Sequence, residues 1–149
     1  MRLLRVTSML EITPFEKLIK YLKLLGKKFE VDNENKVVIV HEEIEGKKCD
    51  VRLGVTKGWV WMALKCMALS EIPENIRGEL IFNLLRINND YAEVSFGIDA
   101  EGNIVLREEI LDSALTLDVF LEEYGALLVG IEVFNELLKR LEKKVGAGE

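Results

Sequence analysis

The residues able to do chemistry are few in this chain, and their spacing excludes most reactions. His41 is the only histidine among 149 residues, so neither a His–His ligand pair nor a Glu-x-x-His pair can form. Within Val38-Ile39-Val40-His41-Glu42 it reads as a strand-end residue with its ring edge in solvent. A general base needs a nucleophile and an orienting partner nearby, and the sequence points to neither. Ser8, Ser70, Ser95 and Ser113 sit in no nucleophile-elbow motif. Gly54-Val55-Thr56-Lys57-Gly58 lacks the Gly-Lys-Thr order of a phosphate loop and leads into a strand pattern, so it reads as a hairpin turn. Glu42-Glu43 and Glu108-Glu109 lie on strand patterns, where neighbours point to opposite faces and cannot converge on one substrate atom. No catalytic residue, metal site or cofactor is expected, and the chain reads as a non-enzyme.

The two cysteines and two tryptophans carry more information. If Lys57-Gly58 is a two-residue turn between Cys49–Val55 and Trp59–Leu69, Thr56 faces Trp59 and Cys49 faces Cys66. Directly opposed strand residues approach to the Cα spacing a disulfide needs. Cys49 and Cys66 therefore read either as a disulfide or as two free thiols in the core. A redox-catalytic role is not expected without a Cys-x-x-Cys pair. The same register places Val51, Leu53, Val55, Val60, Met62 and Leu64 on one apolar face. The other face carries Asp50, Arg52, Gly54, Trp59, Trp61, Ala63 and Met67. Two tryptophans at i, i+2 opposite the core face make a contiguous patch, a sign of contact with something. That something is the last helix, a second subunit, or a client segment or ligand; Trp59, Trp61, Ala63, Met67 and Arg52 are the candidate surface.

The elements that must position these residues follow from periodicity. Thr13-Pro14-Phe15-Glu16 is a helix start, with Thr13 as cap, Pro14 in the first turn and Glu16 closing a capping box. Phe15, Leu18, Ile19, Leu22 and Leu25 recur at helical spacing, and Gly26 ends the helix. Phe29 to Val31, a polar turn at Asp32-Asn33-Glu34-Asn35, and Lys36 to His41 suggest a first strand, with or without a short one before it, followed by a charged loop from Glu42 to Lys48 and then the hairpin. Pro73 opens a second helix, with Ile76, Leu80, Leu84 and Ile87 on one face, expected to end near Asn88-Asn89. Strands Glu93 to Ile98 and Asn103 to Ile110 flank an Asp99-Ala100-Glu101-Gly102 turn. Thr116 caps a last helix to about Lys144, in which Gly125 and Gly130 read as points of close approach. The order is α-β-β-β-α-β-β-α, an α+β fold with an antiparallel sheet of about five strands. Residues 1–149 form a single domain, with 1–12 as an N-terminal arm and 145–149 as a frayed tail.

Composition bounds the setting. Hydrophobic residues make up 49% of the chain, enough for a full core. No apolar run reaches the roughly 18 residues of a membrane span. Arg2 and Arg5 appear without an apolar signal region, so a cytoplasmic location is expected. The net charge of −6 argues against nucleic acid as the main partner. Residues 1–28 nevertheless carry +5, leaving −11 for the rest, so a basic first helix lies beside acidic neighbours. Glutamine is absent while Lys and Glu abound, a bias of thermophile proteins.

Leu84-Leu85-Arg86-Ile87-Asn88-Asn89 leading into Ser95-Phe96-Gly97-Ile98-Asp99 and then Gly102-Asn103-Ile104-Val105-Leu106-Arg107 resembles the YbjN family and, more broadly, the type III secretion chaperone-like fold. The resemblance spans about residues 13–142, with its specific motif confined to about 84–107. It implies an antiparallel sheet packed by helices, dimerisation, and recognition of extended segments of partner proteins, and it brings no catalytic residues. The chain thus reads as a non-enzymatic, chaperone-like or regulatory module that binds a protein segment, as a homodimer. A second reading is a small-molecule sensor or enzyme with a pocket between sheet and helices lined by Trp61, Met62, Tyr91 and Tyr124.

Overall fold

The Thr13 hydroxyl accepts the Glu16 backbone N–H at 3.2 Å, and the Glu16 carboxylate accepts the Thr13 N–H at 3.3 Å. This capping box satisfies two of the donors a helix start leaves unpaired, and α1 runs Pro14–Leu24 behind it. The computed structural model describes residues 12–147, so almost all of the expected 1–12 arm lies outside the described residues. Gly26, at φ +67°, turns the chain after α1 into β1 (Phe29–Asp32). The Asp32 carboxylate accepts the Asn35 backbone N–H at 3.1 Å and folds the turn into β2 (Val37–Ile44).

The expected charged loop from Glu42 to Lys48 is instead a tight hairpin. Glu45 and Gly46 both have positive φ, 53° and 78°, the two-residue geometry that matches strand twist. β2 therefore continues to Ile44, and β3 (Lys47–Thr56) begins two residues later. Gly58 turns β3 into β4 (Trp59–Ala68), with Thr56 opposite Trp59 and Val51 opposite Leu64 as the register predicts.

A 3₁₀ turn, Leu69–Glu71, leads to α2 (Glu74–Asp90), which ends one residue beyond Asn88-Asn89, near the expected end. Neither asparagine takes a left-handed conformation. The Asn88 amide instead brackets Phe96, accepting its N–H at 2.8 Å and donating to its carbonyl at 2.9 Å. This side chain stands in for a strand neighbour and ties α2 to β5, which is only Phe96–Ile98. The Asp99 carboxylate then accepts the backbone N–H groups of Glu101 and Asn103, both at 2.9 Å, closing the turn into β6 (Asn103–Leu111). After a second 3₁₀ turn, the Thr116 hydroxyl accepts the Val119 N–H at 3.2 Å and caps α3 (Leu117–Ala147). The helix continues through Ala147, past the expected end near Lys144.

The sheet has six strands in the order β1-β2-β3-β4-β6-β5, every neighbouring pair antiparallel. It is one strand larger than expected because Phe29–Asp32 pairs with Val37–Val40 along its whole length. A single core joins Leu18 and Leu22 of α1, Leu80 of α2, Phe120 and Phe134 of α3, and Leu53, Met62, Leu64 and Leu106 of the sheet. Among the described residues no helix is long and apolar enough to cross a membrane.

Of the two glycines expected to mark close approach in α3, only Gly130 does. A Cβ there would lie 2.7 Å from Leu106 Cδ2, whereas nothing lies within 4 Å of one at Gly125. Leu106 is 1% exposed and has little room to retreat. Gly125→Ala is expected to stabilise by about 0.5–1 kcal/mol through helix propensity. Gly130→Ala forfeits that gain to overpacking and lowers the midpoint. Denaturant midpoints of the two variants check the contrast, and equal stabilisation would contradict the contact.

Candidate functional site

The three helices among the described residues lie against one face of the sheet, because strand alternation sends Val38, Val40, Val51, Leu53, Val60, Met62 and Leu64 to that side and each is 0% exposed. The alternate residues form the opposite face, which no described helix covers. Trp59 and Trp61 sit there on β4, as their i, i+2 spacing requires. Trp59 lies between Thr56 and Leu111 and is 43% exposed, and Leu111 is 48% exposed. Trp61 lies opposite Gly54 and Glu109, and its ring covers Gly54 so closely that a Cβ there would collide with it. Gly54 is thus buried by an indole rather than by the core, which removes the expectation that the last helix covers this face. Ala63 and Arg52 face each other on the next rung, Ala63 half-buried and Arg52 exposed.

Met67 does not share this face. Lys65 pairs with Val105 but Met67 pairs with Ile104, so one residue, Cys66, is extra in β4. The bulge reverses the alternation beyond it, and Met67 packs against the core. The same irregularity undoes the expected Cys49–Cys66 rung. Pairing of β3 with β4 stops at Val51–Leu64, while Cys49 remains opposite Glu42 on β2. Both cysteines are free, half-buried thiols. Burial pushes the Cys49 thiol up and drives Cys66 up to about 12, so neither is an activated nucleophile at neutral pH.

Polar groups frame the open face. His41 lies within the strand rather than at its end, with Nδ1 2.8 Å from Asp50 and Nε2 3.3 Å from Glu30. The Asp50 hydrogen bond raises its pKa above the usual imidazole value, a solvent-facing arrangement that orients no nucleophile. Arg107 and Glu109 pair at 3.0 Å beside Trp61. On the covered side, Tyr124 donates to Glu42 at 2.8 Å and Lys27 pairs with the same carboxylate at 2.8 Å, tying α3, β2 and the exit of α1 together.

The residues of the expected enclosed pocket are scattered. Trp61 faces the open side, Met62 is 0% and Tyr124 3% exposed within the core, and Tyr91 is 63% exposed at the end of α2. No group of three or more His, Cys, Asp or Glu among the described residues is arranged to hold a metal ion. Ile81, Phe82 and Leu85 stand out in the sequence as surplus apolar positions of the second helix, and the structure gathers this surface into a groove between α2 and β5, about 230 Å³, lined by Ile81, Leu84, Leu85, Phe96 and Ile98. Phe82 and Leu85 stand 60% and 62% exposed beside it, and Ile98 52%.

One half-buried acid escaped notice in the sequence. Glu108, on the covered side of β6 opposite Met62, has its carboxyl pushed up to about 8, first by burial and then by the facing Glu123 and by Glu93. The stability its neutral form confers is complete below the ordinary value of 4.5 and is lost as pH rises through about 8. Glu108→Gln is therefore expected to match the wild-type denaturant midpoint at pH near 4 and to exceed it at pH near 9. Equal midpoints at the higher pH would show that Glu108 is not held neutral.

These features define an α+β fold of the secretion-chaperone kind, six antiparallel strands with helices on one face and the other face open. Solved structures bear this out. A chain of the crystal structure of the Yersinia pestis type III secretion chaperone SycH, in complex with a stable fragment of YscM2, superposes with a TM-score of 0.56 at 12% identity, covering 82% of this chain and 99% of that one. YbjN from E. coli superposes with a TM-score of 0.60 at 12% identity, over 80% of this chain and 86% of that one. An uncharacterized protein from Methanothermobacter thermautotrophicus gives 0.63 at 16% identity, over 85% and 97%. No family model matches the chain's sequence, and no curated protein matches it at a significant level.

Proposed function

We propose that this chain is a non-enzymatic, chaperone-like binding module that receives a segment of another protein on the open face of its sheet. The observation that carries this reading is the Trp59–Trp61–Ala63 strip, which no helix among the described residues covers. The opposite face already supplies the hydrophobic residues a core sheet needs, so these aromatics are not required for folding. Indole anchors give large burial at little conformational cost, and such residues dominate binding energies. Arg52 and the Arg107–Glu109 pair flank the strip and would orient a polar backbone laid across it. The likeness to secretion-chaperone complexes supports the reading at the level of fold.

The module works as a symmetric homodimer, its second copy meeting α2 and β5. That groove is apolar and shallow, and the exposed Phe82, Leu85 and Ile98 around it form a self-complementary kind of surface. Light scattering at tens of micromolar is expected to give twice the chain mass, reduced to the chain mass by Leu85→Glu. A strictly monomeric wild-type protein would remove the dimer.

The protein-binding reading is tested with the double variant Trp59→Ala/Trp61→Ala. Its expected result is loss of proteins captured from native lysate by the wild type, while the denaturant midpoint falls by less than the ~3–5 kcal/mol typical of a buried aromatic cut to Ala. A stability loss of that full size, with the captured set unchanged, would make the strip structural.

A further inference from the structure

β3 stays paired to β2 down to Lys47, and β4 stays paired to β6 through Ala68. Between them, pairing stops at Val51–Leu64 and the strands part. The bulge at Cys66, where β4 shifts register against β6, falls at this point. The backbone groups on the two facing edges therefore lack a ladder partner, a condition a folded chain meets with water or a ligand. At the gap lies a cleft of about 650 Å³, lined by residues of the open face such as Arg52 and Lys65 and by Ile131 and Asn135 of α3. That volume lies within the range of small-molecule sites, about 300–1,000 Å³.

Its chemistry is uneven. Lys47, Lys48, Arg52 and Lys65 line it, and none of them closes an ion pair among the described residues. The acids beside them are mostly engaged. Asp50 takes the His41 ring, and Asp99 is held by the N–H groups of its own turn, with Lys65 near enough to help keep that carboxyl low. Glu101 alone opposes the four cations without a hydrogen bond or ion pair of its side chain among the described residues. Deeper in, Leu64 and Ile131 are almost fully buried and present an apolar wall. In a protein of net charge −6 this is a concentrated positive rim over an apolar floor.

We infer that the cleft binds an organic carboxylate on a short apolar body, its charge held by Arg52 and Lys65 and its body seated against Leu64 and Ile131. The site adjoins the indole strip at Ala63 and Arg52, which line both, but Lys65, Leu64 and Ile131 belong to the cleft alone, and its test with small ligands does not depend on the strip receiving a protein. A carboxylate of this kind comes either from a free small molecule or from the C-terminus of a peptide. The test titrates the ¹⁵N-labelled full chain with octanoate, with octan-1-ol, and with N-acetyl-Leu-Leu carrying a free or an amidated C-terminus.

Octanoate is expected to shift the amides of residues 47–52 and 63–67 and to bind at least about tenfold more tightly than octanol, the worth of one charge-assisted hydrogen bond. Arg52→Glu/Lys65→Glu, at two exposed positions, should lower octanoate affinity by about tenfold or more with the amide spectrum otherwise unchanged. Should the double variant misfold, Lys65→Gln alone should still weaken octanoate relative to octanol. The peptide acid binding more tightly than octanoate assigns the site to chain termini, and the reverse to free small molecules; either outcome sustains an anion site. Octanoate binding no better than octanol, or shifts confined to the α2–β5 groove, would overturn it.

Discussion

Burial of one sheet face beneath α3 is the interaction on which the other elements depend. The helix is 31 residues long and brings Phe120 and Phe134, each 0% exposed, down onto the sheet. Gly130 lets it approach β6 to within contact of Leu106. At roughly 25 cal/mol per Å² of apolar surface removed from water, no hydrogen bond in the structure rivals this contribution. α1 and α2 complete the same layer through Leu18, Leu22 and Leu80. The Lys27–Glu42–Tyr124 tie then fixes α3 relative to β2 at a half-buried point where an unpaired carboxylate would be costly.

A sheet covered on one side must solve the problem of its other side. Here that face mixes charged pairs with an indole strip, and Trp61 takes over the burial of Gly54, a residue with no side chain of its own to pack. Cross-strand shielding of a glycine by an aromatic keeps the backbone protected, which leaves Trp59 and Leu111 as the exposed apolar remainder. The short edge strand β5, pinned through Asn88, offers little free backbone for uncontrolled pairing. Among the described residues the surface is therefore restrained at its edge and open across its middle.

The order of elements was legible because the periodic signals were strong and local. The capping box at Thr13, the Lys57-Gly58 turn with its register, the Asp99 turn and the Thr116 cap each depend on residues within four positions of one another, and each stands as read. What escaped the reading depends on contacts distant in sequence or on an irregularity. The hairpin at Glu45-Gly46 was hidden because Glu is a poor candidate for positive φ. Asn88 looked like a helix terminator, and only the fold brings Phe96 within its reach. The bulge at Cys66 has no signature in composition, yet it moved Met67 into the core and separated Cys49 from Cys66, and it falls where β3 and β4 part. For the candidate surface, Trp59, Trp61, Ala63 and Arg52 fall on one face because alternation is strict up to that bulge and fails just beyond it.

Because Trp59 and Trp61 are the only tryptophans in the chain, intrinsic fluorescence reports on the open face alone. Acrylamide quenching of the free, full-length protein is the most direct measurement of whether that face is uncovered in solution. An open face predicts efficient quenching dominated by Trp59, reduced on Trp59→Phe to the weaker response of the half-buried Trp61. Emission from both indoles that resists acrylamide in the unbound protein would contradict an open binding face.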